Sequence, residues 1–199
     1  MIKIEFFGAA KTVTGSHYVI TGDNFKFAID CGMFQGPDVE NLNLKEFQYN
    51  PSDLNFALLT HAHIDHSGMF PKLVKNGFTG NIYATNHTIQ ISSELLMDSA
   101  KLQENAFQRG EFYGRHTQVK AIVYNTFDAS KTIEKFKAVR LDEEFSPIPE
   151  VTVKFIKAGH ILGAASIELS IIDNSETKKF ILSGDIGRVK THIDSSFDF

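Results

Sequence analysis

The stretch LLTHAHIDHSG, residues 58–68, places His61, His63, Asp65 and His66 within six positions, directly after a short apolar run. NFALLT, residues 55–60, has the continuous apolar character of a buried strand. His61 and His63 are two apart on an extended chain, so both rings can point the same way. Asp65 and His66 follow where the strand gives way to a loop and then a helix. Neutral imidazoles with a carboxylate suit zinc, and also manganese or iron. Carboxylate ligands favour a catalytic over a structural metal, because structural zinc normally takes thiolates. Cys31 is the only cysteine, which rules out a cysteine-based structural site. The bland alternative, solvated loop histidines, would bring several costly polar groups together without a partner.

Two further stretches have matching grammar. KFIKAGHILGAASIEL, residues 154–169, puts His160 in a turn between strands, flanked by Gly159 and Gly163. KFILSGDIGR, residues 179–188, puts Asp185 just beyond an apolar strand. Loops at strand ends are where α/β proteins carry ligands. His160 can supply a third nitrogen to one metal, and Asp185, with two oxygens, can bridge two. Singly, each also reads as an ordinary loop histidine or a turn Asp beside glycine.

Around these motifs the chain alternates strands and helices. IKIEFF, SHYVIT, FKFAID, NFALLT and NIYAT read as strands, as do VTVKFIKAG, ASIELSIID and KKFILSGD. HSGMFPKLVKNG reads as a short helix stopping at Gly77. Residues 85–110, with polar N-caps and a closing Gly110, give the longest helix. SKTIEKF reads as a short helix, whereas residues 111–129 carry no clear signal. The pattern is that of a layered α/β protein.

Bulk properties bound the rest. At 199 residues the chain suffices for one domain with a real core. Its 42% hydrophobic and 22% charged residues are ordinary globular composition, which argues against disorder. A net charge of −4 argues against a strongly basic nucleic-acid coat, but not against a nucleic acid held locally by metals. No signal peptide or membrane span is evident, and with a lone cysteine the expectation is a soluble, cytoplasmic protein.

HxHxDH, Gly-His in a turn and Gly-Asp after a strand together resemble the metallo-β-lactamase superfamily. FFGAAKTVTGSHYVI and IDCGMFQG narrow the resemblance to its β-CASP branch of RNA-processing nucleases. That branch includes the endonuclease subunit of the cleavage and polyadenylation factor and ribonuclease J. The resemblance covers essentially the whole chain. It implies an α/β fold of the αβ/βα four-layer sandwich type, with metals at one edge of two facing sheets. It makes His61, His63 and His160 ligands of one zinc. Asp65 and His66 would serve a second zinc, with Asp185 between the two, and Asp65 and Asp185 count as catalytic. Asp30, in DCG, resembles the family's carboxylate behind a metal-bound histidine. Cys31 reads as a small buried residue.

The family normally adds, after the Gly-Asp motif, a large insertion, further strands and another histidine ligand. The insertion also carries a histidine that protonates the leaving group. Residues 1–199 therefore look like the N-terminal portion of a β-CASP metallo-β-lactamase domain, incomplete at the C-terminus. His192 does not match the later motifs and reads as a surface residue. The implied function is zinc-dependent hydrolysis of single-stranded RNA, with two zinc ions in the complete protein. The fragment itself is expected to be weakly active or inactive, and uncovered faces would favour self-association. Alternatives are a hydrolase of small thioester or lactam substrates, or a noncatalytic metal-binding module. A flavin-linked di-iron oxygen reductase fits less well, because those place an acid where His63 stands. Lys101, Arg109, Arg115, Lys120, Lys131 and Lys135 are scattered among acids and read as a solvated face rather than an RNA surface.

Overall fold

The computed structural model describes residues 1–36, 40–110, 112–113, 117–118, 121–174 and 176–187. The first half contains β1 (Lys3–Gly8), β2 (His17–Thr21), β3 (Lys26–Ile29), α1 (Glu40–Leu44), β4 (Phe56–Leu58), α2 (Ile64–Ser67), α3 (Phe70–Lys75), β5 (Asn81–Thr85) and α4 (Asn86–Gln108). There follow β6 (Phe112–Tyr113), β7 (Thr117–Gln118), α5 (Thr126–Ile133), β8 (Phe136–Val139), β9 (Glu144–Ile148), β10 (Val151–Lys157), β11 (Ala165–Asp173) and β12 (Glu176–Leu182).

Six strands form one sheet in the order β1-β2-β3-β4-β5-β8. β1, β2 and β3 are antiparallel, whereas β3, β4, β5 and β8 run parallel. β4 is buried throughout, as its unbroken apolar run demands: both faces of this sheet are covered. One face packs Ala28, Ala57 and Leu59 against Phe70, Leu73 and Leu96 of the helices. The other packs Phe27, Ile29, Phe56 and Leu58 against a second, four-stranded antiparallel sheet, β12-β11-β10-β9. Phe27 and Phe56 stack there with ring centres 4.5 Å apart.

The second sheet obeys the two-residue period of a one-sided strand. Val151, Val153 and Phe155 of β10 point into the shared core, and so do Ile167, Leu169 and Ile171 of β11. Their alternates, including Thr152, Lys154, Glu168 and Ser170, lie on the outer face. This is the metallo-β-lactamase type of sandwich: helices, sheet, sheet. Among the described residues no helix covers the outer face of the four-stranded sheet.

Several elements differ from the sequence expectation. The helix expected to end at Gly77 is two helices, α2 and α3, hinged at Gly68 and Met69. SKTIEKF is not one helix. α5 begins at Thr126, because Asn125 accepts from the Asp128 amide while Asp128 accepts from the Asn125 amide, a reciprocal cap. Phe136, assigned to that helix, instead opens β8, which pairs in parallel with β5. The long helix α4 starts as expected, with the Thr85 side chain accepting from the Thr88 amide. His192, Arg115 and Lys120 lie outside the described residues. Among those described, no helix is long and apolar enough to cross a membrane.

Candidate metal centre

The parallel arrangement brings the ends of β3 and β4 to one edge of the sandwich, where the β10–β11 loop and the end of β12 also arrive. Asp30 follows β3, and Thr60, His61 and His63 follow β4. Asp65 and His66 sit in α2, His160 in the β10–β11 loop, and Asp185 after β12.

The backbone is built to hold these pieces in contact. α2 is pinned by Ser16 N donating to Asp65 O (2.8 Å) and Cys31 N donating to His66 O (2.8 Å). Gly32 is obligatory in this contact: a Cβ there would come within 1.6 Å of Asp65 O. The His160 loop is fastened to the start of α4. Thr85 Oγ1 (2.7 Å) and Thr88 Oγ1 (2.8 Å) both donate to Gly163 O, and Gly163 has φ +82°. Gly187 closes the far side, its amide donating to Ala158 O at 3.0 Å.

Four donor atoms converge. His63 Nδ1 lies 3.1 Å from His61 Nε2 and 3.2 Å from His160 Nε2. Asp185 Oδ2 lies 3.4 Å from His160 Nε2 and 3.8 Å from His61 Nε2. The four donors all fall within 4.8 Å of one another. A tetrahedral zinc with ligands at about 2.0–2.1 Å separates its ligand atoms by about 3.3 Å. The observed spacings bracket that edge length, and three nitrogens with one carboxylate oxygen are a donor set zinc accepts. These residues fit a metal ion.

A second, looser set adjoins it. His66 Nε2 lies 3.3 Å from the other oxygen of Asp185, Oδ1, and 4.0 Å from Asp65 Oδ2. Asp185 thus presents one oxygen to each set, although its side chain is close to half exposed.

Behind the rings stands Asp30, fully buried and held at φ +53°, a backbone state rare for a residue other than glycine. Its Oδ2 accepts from His66 Nδ1 at 2.7 Å. Oδ1 accepts from the Thr60 amide (2.8 Å), and Oδ2 also accepts from Thr60 Oγ1 (2.9 Å). The histidine that Asp30 contacts directly is therefore His66, in the looser set. Thr60 Oγ1 lies 3.0 Å from His61 Nδ1. The rings differ in proton affinity. Burial, with the neighbouring His66, pushes His61 down to about 4. Burial also acts to lower His66, but Asp30 accepting from its Nδ1, together with Asp185 and Asp65, raises it overall.

Four contributors escaped the sequence reading. Thr60 bonds both Asp30 and His61, and Thr85 and Thr88 anchor the His160 loop. His17 is the fourth: its Nδ1–H donates to Asp30 O (2.7 Å), while Nε2 accepts from Tyr49 Oη (2.7 Å). Cys31 is buried, as expected, and burial raises its thiol. Of the basic residues singled out, Lys131 pairs with Glu134, and Lys135 reaches Thr79 O.

The sequence of residues 11–198 matches the model of the metallo-β-lactamase superfamily. The chain belongs to that superfamily. Among its relatives is Ribonuclease TTHA0252 of Thermus thermophilus, 30% identical over 94% of this chain and 38% of the relative. Transcription termination factor FttA of Methanosarcina mazei is 27% identical over 96% of this chain and 28% of its own length. The chain thus spans well under half of either curated relative. In the solved metallo-beta-lactamase fold protein YhfI from Bacillus subtilis the same fold recurs, with a TM-score of 0.51 at 19% identity. That match covers 92% of this chain and 62% of that one.

Proposed function

We propose that residues 1–199 form the metal-holding portion of a zinc-dependent ribonuclease of the β-CASP branch. The observation that carries this reading is the convergence of His61, His63, His160 and Asp185 on one point, in a chain similar to a named ribonuclease. The part-length match to both relatives supports this stretch being a portion of a longer protein, which the reading takes to be the N-terminal portion.

In this reading His61, His63 and His160 would hold the first ion. Asp65 and His66 would hold the second, with Asp185 beside both. What the ions supply, once bound, is activation of water at neutral pH and neutralisation of charge on a phosphodiester. The chain's part is positional. Asp30 keeps the His66 proton on Nδ1, so that Nε2 keeps its lone pair. The glycine contacts at 32, 163 and 187 fix how closely the ligand-bearing loops approach. The reading takes single-stranded RNA as the substrate and the cytoplasm as the location. Ile172 and Ile181, exposed on the four-stranded sheet, give self-association a surface.

The proton-donating histidine implied by the resemblance belongs to a later insertion, outside residues 1–199. Loss of a general acid typically costs about 10²–10⁴ in rate. The test compares the 199-residue chain and a full-length protein on single-stranded RNA with added Zn(II), using His63→Ala in both. The reading expects cleavage by the longer protein, abolished by His63→Ala, and cleavage by the short chain at least a hundredfold slower. A long protein whose activity survives His63→Ala would overturn it.

A further inference from the structure

We infer that Thr60 is a positioning residue that couples the two halves of the site, fixing the proton of His61 through the carboxylate that fixes His66. The inference rests on the metal reading above and adds a residue to it.

The hydrogen bonds run in one direction. Thr60 Oγ1 donates its single proton to Asp30 Oδ2 at 2.9 Å. With that proton committed, the hydroxyl can only accept at its other contact, 3.0 Å away on His61 Nδ1. His61 must therefore carry its proton on Nδ1. Its Nε2 is left with the lone pair, aimed at the point shared with His63 Nδ1 and Asp185 Oδ2. Asp30 Oδ2 meanwhile accepts directly from His66 Nδ1 at 2.7 Å. One carboxylate thus fixes both tautomers, His66 directly and His61 through a hydroxyl.

Burial makes the arrangement consequential. Asp30, Thr60 and His61 are all at most 1% exposed, so bulk water cannot replace a missing partner. Thr60 also touches a third ligand-bearing segment. A Cβ on Gly184 would meet Thr60 Cβ at 2.9 Å and Oγ1 at 3.0 Å, so the threonine is the surface on which the segment carrying Asp185 rests. The Thr60 amide donates to Asp30 Oδ1, and Thr60 O accepts from Ala165 N at 2.9 Å. Its backbone thus bridges the two sheets next to the site.

Thr60→Val removes the hydroxyl and keeps the volume. His61 Nδ1–H then loses its acceptor, and the ring gains by moving its proton to Nε2, where no lone pair remains for a metal. Removing such a supporting partner typically lowers metal affinity about 10–100-fold. Thr60→Ser restores the hydroxyl without the methyl.

The test has two readouts on the 199-residue chain. The first is the ¹⁵N chemical shifts of the imidazole nitrogens in metal-free protein at pH 8. His61 is expected as the Nδ1–H tautomer in wild type and Thr60→Ser, and shifted toward Nε2–H in Thr60→Val. The second is Zn(II) affinity by competition with a chromophoric chelator. It is expected to fall at least tenfold in Thr60→Val and to stay within threefold of wild type in Thr60→Ser. An Nε2–H tautomer of His61 in the wild-type chain overturns the inference even if the valine variant does not fold. So does a folded Thr60→Val that keeps wild-type affinity. A wild-type chain with the expected tautomer but no Zn(II) binding overturns the metal reading and leaves the role of Thr60 in orienting His61 supported.

Discussion

His160 Nε2 lies 3.2 Å from His63 Nδ1, although 97 positions separate the two residues in the chain. The two rings meet with their planes at 83° and no bulky group between their facing nitrogens. Without an ion the contact is an N–H···N hydrogen bond, and with both nitrogens deprotonated it is the spacing of two ligands around one cation. Zn(II) should therefore stabilise the fold. At a free concentration of 100 Kd, binding adds about 2.7 kcal/mol, which for a chain of this size raises Tm by roughly 5–10 °C. His160→Ala should lose most of that rise while melting close to wild type in EDTA, since His160 sits in a partly exposed loop. An equal Zn(II)-induced rise in both proteins would remove His160 from the site.

Occupancy of the two sets should be unequal. The first has three nitrogens and an Asp185 oxygen within 4.8 Å of one another. The second has His66 and Asp185 at 3.3 Å, with Asp65 as far as 4.0 Å from the ring nitrogen. Fewer and more distant donors bind more weakly. Calorimetric titration of the apo chain should resolve one tight Zn(II) and a second at least tenfold weaker. Two equally tight events would mean that a further ligand completes the second set.

Gly32 offers a test by geometry alone. A Cβ at this position would lie 1.6 Å from Asp65 O and 2.8 Å from Ser16 N, both backbone atoms with no rotamer to change. Gly32→Ala must displace α2 or the β3–α1 loop. Overpacking of this kind costs about 1–3 kcal/mol, and backbone obstacles belong at the upper end. Because α2 carries Asp65 and His66, the weaker Zn(II) should be lost first. A variant with wild-type denaturation midpoint and both binding events would show that the loop yields freely.

How far the sequence revealed this architecture depended on the range of the forces involved. HxHxDH announced itself because its residues are neighbours in the chain, and β10 and β11 because their alternation is local. β8 and β9 were missed. β8 is the four-residue run FKAV with a lysine inside, and its strand state comes from pairing with β5, some fifty residues earlier. α5 begins four residues before SKTIEKF, at the Asn125–Asp128 cap, which is local and present in the sequence. Asp30 could be read as a carboxylate behind a histidine, but choosing His66 over the others needed the fold. Thr60, Thr88 and His17 gave no signal, and Thr85 only that of a helix cap. Their roles lie in hydrogen bonds to residues 13 to 78 positions away, and no periodicity records those.

His17 supplies a pH dependence that can be separated from the metal ligands. It is 4% exposed, donates from Nδ1 to Asp30 O and accepts at Nε2 from Tyr49. The acceptor contact at Nε2 needs the neutral ring, and burial pushes its pKa down from 6.5 to about 4. Above pH 6.5 the ring is neutral in both folded and unfolded chains, so it has no effect on the pH dependence there. Between pH 6.5 and 4 the unfolded chain takes up a proton that the folded chain refuses, and stability falls as pH falls. The full difference is about 3 kcal/mol. His17→Gln keeps one donor and one acceptor but does not titrate. It should be less stable than wild type at pH 7.5, through imperfect fit, yet lose less stability on acidification. His61 titrates in the same range in both proteins, so the comparison cancels its contribution. The measurement is urea unfolding in EDTA at half-unit steps from pH 7.5 to 4. Parallel stability curves for the two proteins would mean that His17 can be protonated in place, and that its bond to the Asp30 carbonyl survives with Tyr49 Oη turned to accept from Nε2–H.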